Sequence, residues 1–202
     1  MASTDSVSAG FWCVVPAAGR GTRFGSAIPK QYLPLAGKPL LLHTLERLAA
    51  HPQVTGLMVA LAPGDTYWPR LAQIAGKPIR IADGGDERAD SVLAGLRALA
   101  REVRAEDFVL VHDAARPCVR GEDISRLIDF GVPAGGALLA APLRDTLKRA
   151  DAENRSLATE PREARWRALT PQLFRHGELV AALETARAAG IAVTAEAMAL
   201  ER

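Results

Sequence analysis

The sequence predicts an α/β domain built on a doubly wound, mostly parallel sheet, and three observations lead there. Short apolar runs alternate with amphipathic ones along the whole chain. The apolar runs show little period-two alternation, as strands covered on both faces should. They also end in glycines and charged residues, and in open parallel sheets it is the carboxyl ends of the strands that gather ligands. A chain of 202 residues is one such domain with room for a sizeable core.

Taken in order, residues 1–10 are rich in Ser, Ala and Thr and read as a disordered tail, leaving 11–202 as the domain. Strands are expected at 11–15, 56–62, 79–82, 108–112 and 136–141. Helical spacing marks 40–50, 66–74, 89–103 and 121–130, the third carrying an apolar face of Leu93, Leu96, Leu99 and Ala100. A last helix is expected over 173–189. Before it, residues 151–167 are polar, have no helical face and read as a surface loop. No internal repeat or low-complexity segment interrupts the pattern.

Composition narrows the function classes. A net charge of +2 is too small for a general nucleic-acid binder, so any basic chemistry must be local. Cys13 and Cys118 make no disulfide framework, and there is neither a signal peptide nor an apolar run long enough for a bilayer. The expectation is a cytoplasmic protein with no membrane and no nucleic-acid partner.

The first strand end is the most informative stretch. Val14-Val15-Pro16-Ala17-Ala18-Gly19-Arg20-Gly21-Thr22-Arg23-Phe24 abandons large side chains where a strand stops, followed by Pro29-Lys30-Gln31-Tyr32. Gly19 and Gly21 let a bulky anion approach the backbone amides, while Arg20, Arg23 and Lys30 bring positive charge to the same place. A P-loop would need Gly-Lys-Ser/Thr, and a dinucleotide fingerprint would need Gly where Phe24 stands. The stretch is thus an anion cradle of another kind, the alternative being an ordinary Gly-rich turn.

The other strand ends carry Asp83-Gly84-Gly85-Asp86-Glu87-Arg88-Ala89-Asp90-Ser91, then His112-Asp113-Ala114-Ala115-Arg116-Pro117, then Arg144-Asp145-Thr146-Leu147-Lys148. Gly84-Gly85-Asp86 also suits a turn with Asp as a helix cap. An acid directly after the strand expected over 108–112, with its run Val109-Leu110-Val111, is costly to hold at a strand mouth without a partner. Asp113 is either a Mg²⁺ ligand bridging to phosphate oxygens, or a helix cap or ion-pair partner of Arg116. His112 should point to the opposite face and read as structural. With no Ser–His–Asp spacing and no Cys/His cluster, the remaining chemistry is phosphoryl or nucleotidyl transfer by positioning and charge neutralisation.

These motifs, with Leu169-Thr170-Pro171-Gln172, together resemble the 2-C-methyl-D-erythritol 4-phosphate cytidylyltransferases, in order from about Phe11 to the end. The resemblance implies a Rossmann-like nucleotidyltransferase that joins CTP to a sugar-alcohol phosphate and releases pyrophosphate, in the methylerythritol phosphate route to isoprenoid precursors. It implies that Pro16, Ala17, Ala18, Gly19, Gly21 and Lys30 wrap the CTP phosphates, with Arg23 and Lys30 steadying developing charge. Gly85, Asp86, Ser91 and Ala114 would complete the nucleotide site, the first three reading the cytosine. Asp113, Arg116, Thr146, Thr170 and Arg162 would hold the acceptor, Arg162 catalytically and Asp113 also facing Mg²⁺ or another divalent cation.

The resemblance further implies a homodimer in which residues 145–169 form an arm reaching into the partner. Two departures stand out: the family continues past Arg202 with a strand bearing an acid and a lysine, and its Thr-Asp-Glu-Ala pattern reads Thr194-Ala195-Glu196-Ala197 here. The expectation is a truncated or a weakened enzyme. Transfer to ribitol 5-phosphate or another sugar phosphate, and a catalytically silent CTP-binding dimeric scaffold, are the alternatives.

Overall fold

The computed structural model describes residues 10–19, 28–193 and 195–201. The tail over 1–9, and Gly21, Arg23 and Thr194, lie outside the described residues. In chain order the elements begin with β1 (Phe11–Pro16), a 3₁₀ turn (Lys30–Tyr32), β2 (Pro34–Leu35), β3 (Lys38–Pro39), α1 (Leu40–Ala49) and β4 (Val54–Leu61). Then come β5 (Gln73–Ile74), β6 (Lys77–Asp83), α2 (Arg88–Leu99), β7 (Phe108–Val111), α3 (Gly121–Ala134) and β8 (Gly136–Pro142). The chain closes with β9 (Leu147–Ala150), β10 (Ser156–Glu160), β11 (Trp166–Arg175), α4 (His176–Ala188) and α5 (Glu196–Leu200).

Seven strands form one sheet in the order β5-β6-β4-β1-β7-β11-β8. The central four run parallel, while β5 pairs antiparallel with β6, and β11 antiparallel with both β7 and β8. β1 shows why its sequence lacks alternation. Phe11, Cys13 and Val15 face a core shared with Leu41, Leu45 and Leu48 of α1 and Ile124, Leu127 and Ile128 of α3. Trp12 and Val14 face the second core, with Leu93, Leu96 and Leu99 of α2 and Leu179 and Leu183 of α4. Each residue of a doubly covered strand is buried on one side or the other, so period two is present in space and absent from the hydropathy. Among the described residues no helix is long and apolar enough to cross a membrane.

Three expected elements are corrected. Residues 66–74 are not a helix. Asp65 begins as a cap would, its Oδ1 accepting the N–H groups of Tyr67 and Trp68 at 2.8 and 3.1 Å. Pro69 then lacks the N–H for the first helical bond and disfavours helical Trp68, Arg70 turns to φ +54°, and the segment ends as β5. The helix expected over 173–189 starts at His176, because Leu173 and Phe174 pair with Leu110 and Val109 of β7 and supply one residue to each core. The polar stretch 151–167 is only partly a loop: β9 and β10 form a separate two-stranded hairpin, turned by Asp151 Oδ1 accepting from the N–H groups of Glu153 and Arg155. Polar strands escape a search for apolar runs.

Two boundaries also move. α2 stops at Leu99 and not at 103. α3 runs past 130 to Ala134, carrying Pro133 in its last turn and capped by Gly135 at φ +83°, a conformation glycine takes without a Cβ penalty.

Candidate active site

The carboxyl ends of β1, β6 and β7 open into a cleft of about 320 Å³. It is lined by Pro16, Ala17, Ala18 and Gly19 from the first strand end, Lys30 and Gln31 from the 3₁₀ turn, Asp86, Glu87, Arg88 and Ser91 from the second, and Asp113 to Arg116 from the third. Ten of the sequence-derived residues thus share one cavity: Pro16, Ala17, Ala18, Gly19, Lys30, Asp86, Ser91, Asp113, Ala114 and Arg116.

The walls are held by short-range packing. A Cβ on Gly84 would lie 2.5 Å from Ala18 Cβ and 2.9 Å from Ser91 Oγ, so glycine is what lets the second strand end close against the first. Ser91 is buried; its hydroxyl accepts from Gly85 N–H at 3.2 Å and has the Gly85 and Glu87 carbonyls at 3.2 Å for its own proton. Gly85 is therefore at the cleft's edge through Ser91. Asp86 is not the cap of α2: that position belongs to Glu87, which makes no side-chain cap bond, and Asp86 stands exposed on the cleft.

Behind the 3₁₀ turn, Gln31 Nε2 donates to Ala17 O at 2.6 Å and Gly19 O at 3.1 Å. Tyr32 Oη donates to Asp65 Oδ2 at 2.8 Å and its ring stacks on Tyr67 at 5.4 Å. Burial, then Asp65, pushes the Tyr32 hydroxyl well above its usual range, so it stays a donor.

Asp113 sits in a chain of alternating charge. Oδ1 accepts from Arg88 Nε at 2.8 Å and Oδ2 pairs with Arg116 Nε at 2.7 Å. Arg88 also bonds through Nη1 to Glu196 of α5, a carboxylate that is 1% exposed. Burial alone would lower the Arg88 guanidinium, but Glu196 and then Asp113 outweigh it and raise the group above its ordinary value. The ion pair with Arg116 is thus the alternative the sequence left open, joined by a second arginine it did not foresee. β11 leaves register with β8 between Ala168 and Gln172, and in that interruption Thr170 Oγ1 accepts from Asp113 N–H at 3.3 Å.

His112 is structural, as its strand position implied. It is fully buried, and Nε2 lies 3.0 Å from Arg116 O, so Nε2 carries the proton and Nδ1 is left without a partner among the described residues. Burial holds the imidazole below its ordinary value of 6.5, against the raising effect of the Arg116 carbonyl and Asp113. The unfolded chain takes up this proton near 6.5 and the folded chain only lower, so the contribution to stability is full above about 6.5 and is lost as pH falls toward the folded value. Melting curves should show a lower midpoint at pH 5.5 than at pH 7.5, and a flatter dependence in His112→Gln. An unchanged slope in that variant would assign the acid sensitivity to other groups.

Thr146 and Arg162 do not line this cleft within one protomer. Thr146 is exposed just before β9, and Arg162 lies in the turn after β10, where it donates to the Arg144 carbonyl. Sequence reasoning missed Gln31, Arg88 and Glu196 as working residues. All three lie inside motifs it had quoted, but their partners are 12 to 108 positions away and no local spacing announces them.

A parallel sheet that stops in exposed backbone, with cations and the carboxylates of Asp86, Glu87 and Asp113 brought in from separate connections, can orient phosphates and neutralise their charge. Fold and cleft define an enzyme of the nucleotidyltransferase class. The family model for 2-C-methyl-D-erythritol 4-phosphate cytidylyltransferase (IspD) matches residues 11–202. A cytidylyltransferase of that name from Xylella fastidiosa (strain 9a5c) is 57% identical over 197 residues, covering 97% of this chain and 85% of the relative. One from Xanthomonas euvesicatoria pv. vesicatoria (strain 85-10) is 58% identical over 192 residues, 95% of this chain and 73% of the relative. The solved Francisella tularensis enzyme superposes with a TM-score of 0.79 at 33% identity, covering 95% of this chain and 85% of that one. The chain belongs to the 2-C-methyl-D-erythritol 4-phosphate cytidylyltransferase family.

Proposed function

We propose that this chain joins CTP to 2-C-methyl-D-erythritol 4-phosphate, giving 4-diphosphocytidyl-2-C-methyl-D-erythritol and pyrophosphate for isoprenoid precursor synthesis. The observation that carries the reading is the single cleft that has the backbone cradle and Lys30 on one side and Asp113 with Arg116 on the other. An oxygen of the acceptor phosphate attacks the α-phosphorus of CTP, the new P–O bond forms, the bond to the bridging oxygen breaks, and pyrophosphate leaves with the electron pair. The substrate supplies the nucleophile. Pro16 to Gly19, with Gly21, hold the phosphates, Lys30 and Arg23 meet the charge that grows on the α-phosphate and the leaving group, and Arg116 and Thr170 orient the acceptor.

A divalent cation, Mg²⁺ in the simplest case, fits as a group carried by the nucleotide. Among the described residues no three His, Cys, Asp or Glu side chains come together to hold a metal. Mg²⁺ commonly takes one or two carboxylates with substrate phosphates, and Asp113 is the carboxylate at hand. When bound, the cation would neutralise phosphate charge. Asp113, paired here with Arg88 and Arg116, would be the residue that holds it. The protein works as a homodimer through the 145–169 arm, in a reducing cytoplasm that suits its free Cys13 and Cys118.

The test is pyrophosphate release from CTP, 2-C-methyl-D-erythritol 4-phosphate and Mg²⁺, with ribitol 5-phosphate as competing acceptor. Release only with ribitol 5-phosphate, or CTP binding with no release at all, would replace the reading with the sugar-phosphate or the scaffold alternative. Base selection has its own test. Asp86→Ala should weaken CTP and lower discrimination against UTP together, because the cytosine amino group loses an acceptor and uracil loses a repulsive partner. A CTP-to-UTP ratio of kcat/KM equal to that of the unaltered protein would remove Asp86 from the base pocket.

A further inference from the structure

We propose that Gln31 is a positioning residue for the cradle: its side-chain amide turns the loop's backbone N–H groups toward the triphosphate. The proposal rests on the cradle being the CTP phosphate site. Gln31 is 6% exposed beside an exposed Lys30; both line the cleft, but the Gln31 amide is engaged by two backbone carbonyls.

The geometry determines what Gln31 does. Both groups it meets, Ala17 O and Gly19 O, are acceptors, so the amide nitrogen must face them and each of its protons has a carbonyl. A peptide unit is planar and trans, with C=O and the following N–H pointing in opposite directions. Holding Ala17 O against Gln31 therefore directs Ala18 N–H away from Gln31. Ala17 N–H is already engaged by Ala60 O at 2.8 Å, so Ala18 carries the first amide of the loop beyond the sheet ladder. Among the described residues a Cβ on Gly19 would meet nothing within 4 Å, which is room for an anion to reach the backbone.

Ala17, Ala18 and Gly19 have no side chains with which to order their own backbone, and ordering it on binding would weaken affinity. Gln31 does this in advance. Its own position is fixed by Tyr32, through the Asp65 bond and the Tyr67 ring, so the segment expected as a helix is instead the buttress of the cradle.

The experiment measures binding of inorganic tripolyphosphate and of cytidine to the whole chain by calorimetry, alongside steady-state kinetics, for the unaltered protein, Gln31→Met and Gln31→Glu. Met keeps the length without donors; Glu keeps the shape and places acceptors against acceptors. Tripolyphosphate and CTP affinity should fall about tenfold or more in both, with kcat also lowered, while cytidine affinity and the KM of the acceptor stay unchanged. Equal tripolyphosphate affinity in either folded variant, or a parallel loss of cytidine and tripolyphosphate, overturns the role of Gln31. If the unaltered protein binds cytidine but no tripolyphosphate, the cradle reading itself fails and the role falls with it.

Discussion

Lys30→Ala is expected to lower turnover by about 10²–10³ while changing CTP affinity far less, because removing one donor aimed at developing charge has that effect in comparable sites. Lys30 opens the 3₁₀ turn and lines the cleft together with Ala17, Ala18 and Gly19. The additional negative charge on the leaving pyrophosphate and the α-phosphate develops in the transition state, and only interactions stronger there than in the ground state accelerate the chemical step. Single-turnover pyrophosphate release and calorimetric CTP binding separate the two. Near-normal release would take Lys30 out of catalysis. Gln31 differs in this respect, since loss of a residue that pre-orders the cradle should lower CTP affinity and kcat together.

The second large effect concerns Arg162. Arg162→Ala and Lys30→Ala should each be almost inactive alone, and mixing the two chains should restore about half of the activity in each mixed dimer, or about a quarter across a randomly paired equal mixture, because each mixed dimer has one complete site of two. Arg162 sits beyond its own cleft's lining, on the turn after a hairpin that forms its own two-stranded sheet. Leu157 and Trp166 on this segment are 60% and 63% exposed in the single chain, which is apolar surface suited to a second copy. An arginine there would present a planar fork to a phosphate in the partner's cleft. If Arg162 served its own chain, every site in the mixture would lack one residue and activity would stay lost. A monomer at working concentration would end the idea sooner.

Much of the site could be read from the chain because its residues are consecutive. Backbone cradles need glycines and small residues in a row: Pro16 to Gly19 starts on the last residue of β1, Gly84 to Ser91 follows β6, and Asp113 to Arg116 follows β7 with only His112 between. The dual reading of Asp113 was also legible, since an acid three residues before an arginine can pair with it. What was hidden was the second arginine. Arg88 stands in a quoted motif, yet nothing local says that it will bridge Asp113 to the buried Glu196.

The sequence by itself determined the covered parallel strands and the chemistry at their ends, because burial on both faces and exposed backbone leave marks on neighbouring residues. Only the tertiary structure decided that Leu173 and Phe174 extend β11 instead of opening a helix, because the unpaired edge of β7 offers them a ladder and both cores offer them burial. It likewise decided that polar residues 147–160 form a hairpin, and that Gln31 faces two carbonyls rather than solvent. Each is a choice between local conformations of similar propensity, settled by hydrogen-bond partners far away in sequence that periodicity cannot name.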